Sequence, residues 1–339
     1  MLNKKIVTLG EIMLRLSTVE DKRIIQSNVF RADYGGGEAN VAVSLANFGL
    51  NASYVTKLPM NALGESVIKY LKSNSVDTGN IIFGGERLGT YYLEVGAGVR
   101  NSSVIYDRKY SSFSELTFEE LDIDKILKDC EIIHLSGITP AVSKTCKDLT
   151  LKVLKEAKNR GVKVSFDFNY RGKMWTLEEA SETIKEYLPY IDICFAGILD
   201  AKNILKIELD ESKYSTKEEI LKAYYDIMSQ NNPNIQYFIS TSRTIHSVEN
   251  NSLKGFVYTN GELSESKEYN FNIVDRVGGG DAFAAGALYG IVLKMTPLEI
   301  AEYSTAASVI KHSIRGDANL CSVNEVKSFI ENGVGKISR

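Results

Sequence analysis

The 339-residue chain has few of the side chains that hold metals or form disulfides. Its three histidines, His134, His246 and His312, lie far apart, and its four cysteines, Cys130, Cys146, Cys194 and Cys321, show no paired spacing. A zinc ribbon, a Cys-x-x-Cys redox centre and a disulfide framework are thereby excluded, which points to the cytosol and to oxygen ligands for any metal. No charge predominates: 40 Lys and Arg against 43 Asp and Glu leave −3, no field for nucleic acid or an anionic membrane. The apolar run at Lys5–Leu9 is cut by Gly10-Glu11, too soon for a signal or a membrane span, and no later run is long enough. Repeats, low-complexity tracts and an interdomain linker are missing as well. One α/β domain over 1–339 is therefore expected.

What is present centres on Val277-Gly278-Gly279-Gly280-Asp281, which runs straight into Ala282-Phe283-Ala284-Ala285-Gly286-Ala287-Leu288. Three glycines permit positive φ and close approach of backbone to a ligand. Their amides form an anion-binding nest, and a helix behind them adds its dipole. A carboxylate at the helix start opposes passive anion binding. It suits a base that takes a proton from a hydroxyl while the nest holds the phosphoryl group under attack. A plain Gly turn with Asp281 as N-cap is the structural alternative.

Lys5–Gly10 reads as a buried strand, and residues 12–16 and 29–34 as short alternating strands. Gly35-Gly36-Gly37-Glu38-Ala39-Asn40 opens a small-residue helix ending at Gly49. A strand at 52–57 and a helix at 63–73 follow. Residues 90–95 and 103–108 read as a hairpin, either an edge decoration or a lid; Tyr92, Tyr106 and Arg108 favour the lid. From Glu131 on, strands at 131–135, 162–167, 191–195 and 235–240 alternate with helices at 144–160, 177–188 and within 200–230. That pattern argues a parallel sheet with right-handed crossovers, whose ligands bind beyond the carboxyl ends of the strands. Asp167-Phe168-Asn169-Tyr170-Arg171, Asp200 and Thr241-Ser242-Arg243 fall there. A hairpin, 245–249 with 255–258, precedes the Gly-Gly-Gly-Asp helix, and helices at 297–313 and 323–332 close the chain.

In this order the pieces resemble the ribokinase-like (PfkB-type) carbohydrate kinases over essentially the whole chain. The resemblance rests on Gly35-Gly36-Gly37-Glu38-Ala39-Asn40 and on Asp275-Arg276-Val277-Gly278-Gly279-Gly280-Asp281; Arg276 and Gly279 depart from the family's D-T-x-G-A-G-D. It implies an α/β three-layer sandwich with a mostly parallel central sheet and a small β lid at roughly 12–34 and 87–110. It implies ATP and Mg²⁺, with Asp281 as general base and the amides of Gly278, Gly279 and Gly280 on the transferring γ-phosphoryl group. The family's N-x-x-E stretch corresponds to Gly197-Ile198-Leu199-Asp200, where Asp200 replaces the Glu and the Asn is missing, so the metal ligands stay unassigned. Thr241-Ser242-Arg243 stands where K-x-G is usual, and Arg243 is either a cation near the phosphates or a surface residue.

Within the family, Tyr92, Tyr106, Arg108 and Arg171 look like the substrate set of 2-keto-3-deoxygluconate kinases, since Arg suits a carboxylate. The same resemblance adds Asn169 beside Arg171, Asp317 in Gly316-Asp317, and Gly36 and Asn40 beneath the hydroxyls. Helix capping or ion pairing is the alternative for Arg171, and for Arg108 the alternative is a structural place in lid strands that pair between subunits. The implied reaction is ATP-dependent phosphorylation of the 6-hydroxyl of that sugar acid. A fructokinase or other sugar kinase, or a catalytically silent sugar sensor, is the alternative. Lid strands in this family also pair between subunits, which implies a homodimer or higher oligomer.

Overall fold

Strands buried on both faces should be apolar at successive positions, and the central strands are. In the computed structural model, which describes residues 2–333, six parallel strands run side by side in the order Leu50–Val55, Leu2–Leu9, Cys130–Ser136, Lys163–Asp167, Ile193–Phe195 and Tyr237–Ile245. Antiparallel strands Asn250–Thr259, Glu262–Glu265 and Tyr269–Asn272 extend the last edge. Neighbouring residues feed opposite cores. Ile6, Ile132, Ile193, Ile239 and Val257 enter one, and Val7, Ile133, Cys194, Phe238 and Phe256 the other. Helices Gly37–Asn47, Ala62–Ser73, Gly279–Val292, Pro297–Lys311 and Val323–Asn332 cover the first face. Lys144–Asn159, Leu177–Tyr187 and Lys217–Asn231 cover the second. The chain has the ribokinase-like three-layer architecture that its motifs imply.

The helix Gly279–Val292 is apolar all round and is buried accordingly. It lies between Gly37–Asn47 and Pro297–Lys311, with the Tyr289 and Tyr303 rings stacked at 4.9 Å. Both glycine-rich helix starts are thus fixed side by side at one end of the sheet.

The small strands join differently from a lone hairpin. Phe30–Gly35, Met13–Thr18, Thr90–Glu94 and Ser103–Asp107 make one four-stranded sheet in that order. The strand expected at 235–240 also runs further, to Ile245, because Asn250–Thr259 pairs with it as far as Ile245 with Asn251. Thr241, Ser242 and Arg243 therefore sit within a paired strand, not in a loop beyond one.

Candidate active site

Two cavities of about 590 and 420 Å³ open at this end of the sheet. Asp200, Thr241 and Ser242 line the larger. The smaller is lined by Gly36, Asn40, Tyr106, Arg108, Asn169, Arg171, Gly278, Gly279, Asp281 and Asp317. Three residues line both: Asp167, Arg243 and Gly280. At Gly278 the backbone is left-handed (φ +85°), and a Cβ would lie 1.9 Å from the Asp317 carbonyl oxygen, so glycine is required by the protein itself. At Gly280 a Cβ would meet no protein atom within 4 Å. The space kept bare there is the junction of the two cavities.

The N-cap of the helix is Gly278, not Asp281, and its first internal bond runs from Ala282 N to Gly278 O. The amides of Gly279, Gly280 and Asp281 open the helix without a carbonyl one turn back, as an anion site requires. Asp281 is half-buried, and its Oδ2 accepts from Asn40 Nδ2 at 2.7 Å. Burial pushes its carboxyl up to about 7, against the opposing effects of Asn40 and Arg171. Asp167 is likewise raised to about 7, by burial first and then by Asp281 and Asp200. Asp200, whose Oδ2 accepts from the Gly197 amide at 2.8 Å, is raised by burial. Asp167 and Asp200 line the larger cavity with no salt bridge among the described residues, and burial disfavours their charged forms, which a divalent cation would stabilise. Among the described residues no group of three or more His, Cys, Asp or Glu could hold a metal alone. The donor set fits a Mg²⁺ carried mainly by phosphates and water, with one or two protein carboxylates.

From the small sheet, Met13, Tyr91, Val104 and Tyr106 line the second cavity. Asp33, Arg15, Tyr91 and Tyr106 are cross-strand partners in sequence across the four strands, so they share a face. Arg15 is buried and joins Asp317 at 2.5 Å and Asp275 at 2.7 Å. Asp275 in turn accepts from the Val277 and Gly316 amides, which fixes the approach to Gly278. Tyr91 donates to Asp317 Oδ2 at 2.5 Å. Both Asp317 oxygens are therefore engaged by the protein.

Tyr92 corrects the sequence expectation. It pairs with Ile105 on the opposite face, packs edge-on against Phe30 (6.1 Å), and does not line the cavity. Tyr92 and Tyr106 project from opposite faces of the sheet, since Tyr106 pairs with Tyr91 and cross-strand partners share a face. The signal was in the sequence: Leu93 is buried, so period-two alternation turns Tyr91 inward with it. Arg15 carried no comparable signal, because its partners lie 260 and 302 residues away.

The arginines divide into two kinds. Arg108 is bound to the buried Glu11 through Nε at 2.8 Å and through Nη2, so an ion pair consumes its charge. Arg171 has no carboxylate within ion-pair distance among the described residues, and neither do Arg243 and Arg276. These three cations line the smaller cavity without a salt bridge, and Arg171 favours the charged forms of Asp281 and Asp167 from there.

A model of the pfkB family carbohydrate kinases matches residues 3–323. The chain is 30% identical to 2-dehydro-3-deoxygalactonokinase of Haloferax volcanii over 336 residues, covering 99% of each. It is 25% identical to 5-dehydro-2-deoxygluconokinase of Clostridium beijerinckii, covering 96% of this chain and 92% of that one. The crystal structure of 2-dehydro-3-deoxygluconokinase from Thermotoga maritima superposes with a TM-score of 0.93 at 39% identity, covering 97% and 100%. The chain belongs to the pfkB family of carbohydrate kinases.

Proposed function

We propose that this family member transfers the γ-phosphoryl group of ATP to the 6-hydroxyl of 2-keto-3-deoxygluconate. The observation that carries the reading is the junction at Gly280, bare of protein atoms and flanked by Asp281 and by arginines with no carboxylate partner. The nucleotide lies in the larger cavity and the sugar acid in the smaller. Asp281 takes the hydroxyl proton; the sugar oxygen bonds to the γ-phosphorus, and the bond to the β-phosphate oxygen breaks, its electron pair leaving with ADP. Amides of Gly278, Gly279 and Gly280, with Arg243, hold the charge on the transferring oxygens. When bound, Mg²⁺ neutralises charge on the phosphates, and Asp167 and Asp200 are the residues that would hold it.

Arg171 grips the sugar carboxylate, and Asn40, Gly36, Asn169 and Tyr106 face the hydroxyls. Arg108 shapes this wall through Glu11 and leaves the carboxylate to Arg171. Asp317 is assigned to the support of the buried Arg15 and of Tyr91, which replaces Tyr92 on the lid wall. The names of the relatives, all kinases of deoxy keto sugar acids, support the acid as acceptor class. The outer face of the small sheet, with Leu16, Tyr92 and Ile105 in one row and Ile105 55% exposed, favours a homodimer through the lid. Four free cysteines favour the cytosol.

ADP release measured with Mg·ATP and, separately, 2-keto-3-deoxygluconate, its galacto epimer, fructose and ribose tests the assignment. Turnover mainly on the keto-deoxy acid is expected. Preference for fructose or ribose would overturn the role of Arg171, and sugar binding without ADP would indicate a sensor.

A further inference from the structure

Arg243 is the only cationic side chain, among the described residues, on the walls of both cavities. A long side chain with no carboxylate partner has many rotamers to lose before it can hold a phosphoryl group in place. Arg276 adds like charge beside it. What holds Arg243 is His312, whose Nε2 lies 3.0 Å from Arg243 Nη2.

The imidazole is itself fixed on every side. Its Nδ1 is 2.7 Å from the Ser308 carbonyl oxygen, and its ring lies 4.8 Å from that of Phe271, centroid to centroid. A Cβ on Gly279 would come within 2.2 Å of its Cε1, so the ring rests against the backbone of the glycine turn. The carbonyl acceptor at Nδ1 requires the N–H there. Nε2 is then a lone pair, free to accept from the guanidinium. Burial, followed by Arg243, pushes His312 down to about 4, in keeping with a neutral ring. A carboxylate in this position would aim Arg243 equally well but cancel its charge. A neutral imidazole aims it and leaves the charge available.

We propose that His312 is a positioning residue for the transferring phosphoryl group: it accepts from Arg243 and directs that guanidinium to the junction shared with Asp167 and Gly280. The inference rests on the phosphoryl transfer proposed above.

The test compares His312→Leu, His312→Gln, Arg243→Ala and the His312→Leu/Arg243→Ala double variant in the full-length kinase. Expected for His312→Leu is a fall in kcat of about tenfold, with the KM for the sugar acid within about twofold of wild type. His312→Gln, whose side-chain carbonyl can accept from Arg243, recovers most of that loss. The double variant is no slower than Arg243→Ala, because the histidine acts only through the arginine. A second readout is the affinity ratio of a non-hydrolysable ATP analogue over ADP, expected to fall in His312→Leu and Arg243→Ala alike. Should His312→Leu not fold, His312→Asn, with a carbonyl too short to reach Arg243, takes its place. Multiplying losses in the double variant, or a glutamine as slow as leucine, would overturn the proposal. A wild-type protein inert on every sugar would overturn the function itself. An active wild type matched by His312→Leu would overturn only the positioning role.

Discussion

Asn40 Nδ2 donates to Asp281 Oδ2 across 241 residues of sequence, at 2.7 Å, and so joins the two glycine-rich helix starts at the atom proposed as the base. The bond stabilises the carboxylate and works against the burial that raises its pKa. With Asp281 near 7, kcat/KM should climb with pH through that value. Asn40→Leu removes the hydrogen bond, and the acid limb of the profile is expected to move to higher pH. An unmoved limb would separate that limb from Asp281.

Asp281 also bears on stability. Its folded pKa is raised from the ordinary 3.8 to about 7, so the folded state holds the proton more tightly. That contribution is full below 3.8 and is lost as pH rises through 7. Asp281→Asn should therefore unfold at a higher temperature than wild type without ligands, by a margin that widens from pH 5 to pH 8. A margin constant with pH would contradict the shift.

Arg15 is held between Asp275 and Asp317 with all three side chains buried. Arg15→Met leaves Asp317 without a salt bridge and Asp275 with the longer one to Arg31 (3.6 Å), and should cost about 3–5 kcal/mol in urea unfolding at pH 7. Part of that loss should return as pH falls, because burial already raises the Asp317 carboxyl above its ordinary value and Arg15 no longer opposes it.

The face assignment of the small sheet is open to a direct comparison. Tyr91→Phe removes the bond to Asp317 and should raise the KM for the sugar acid severalfold, whereas Tyr92→Phe should match wild type. The reverse pattern would restore Tyr92 to the site.

Arg171 and Arg108 should differ in kind. Arg171→Ala should raise the KM for the acid about 10- to 100-fold, the worth of a charge-assisted hydrogen bond, with stability unchanged. Arg108→Ala leaves Glu11 buried without its cation and should lower the unfolding midpoint.

These contrasts show what the sequence could and could not carry. The alternation of apolar strands and helices specified the sheet, and the Gly35–Asn40 and Gly278–Asp281 motifs located the helix starts, because both signals are local. Asn40, Arg171 and Asp281 line one cavity as their motifs implied. Which tyrosine faces inward depended on strand parity, legible from Leu93 but easily miscounted by one. The partners of Arg15, Arg108 and Arg243 were illegible, since the contacts join strands and loops that only the fold brings together. Whether an arginine's charge is consumed or free is a property of those contacts, and no motif encodes it.

The central claim is that Asp281 takes the proton from a sugar acid held beside the glycine turn. The most direct test is ADP release by Asp281→Asn with saturating Mg·ATP and 2-keto-3-deoxygluconate, alongside calorimetric binding of the same acid. A loss of turnover of at least about 10²-fold with acid affinity retained is the predicted result. Turnover near the wild-type rate would contradict it and return Asp281 to the role of an ordinary first-turn aspartate.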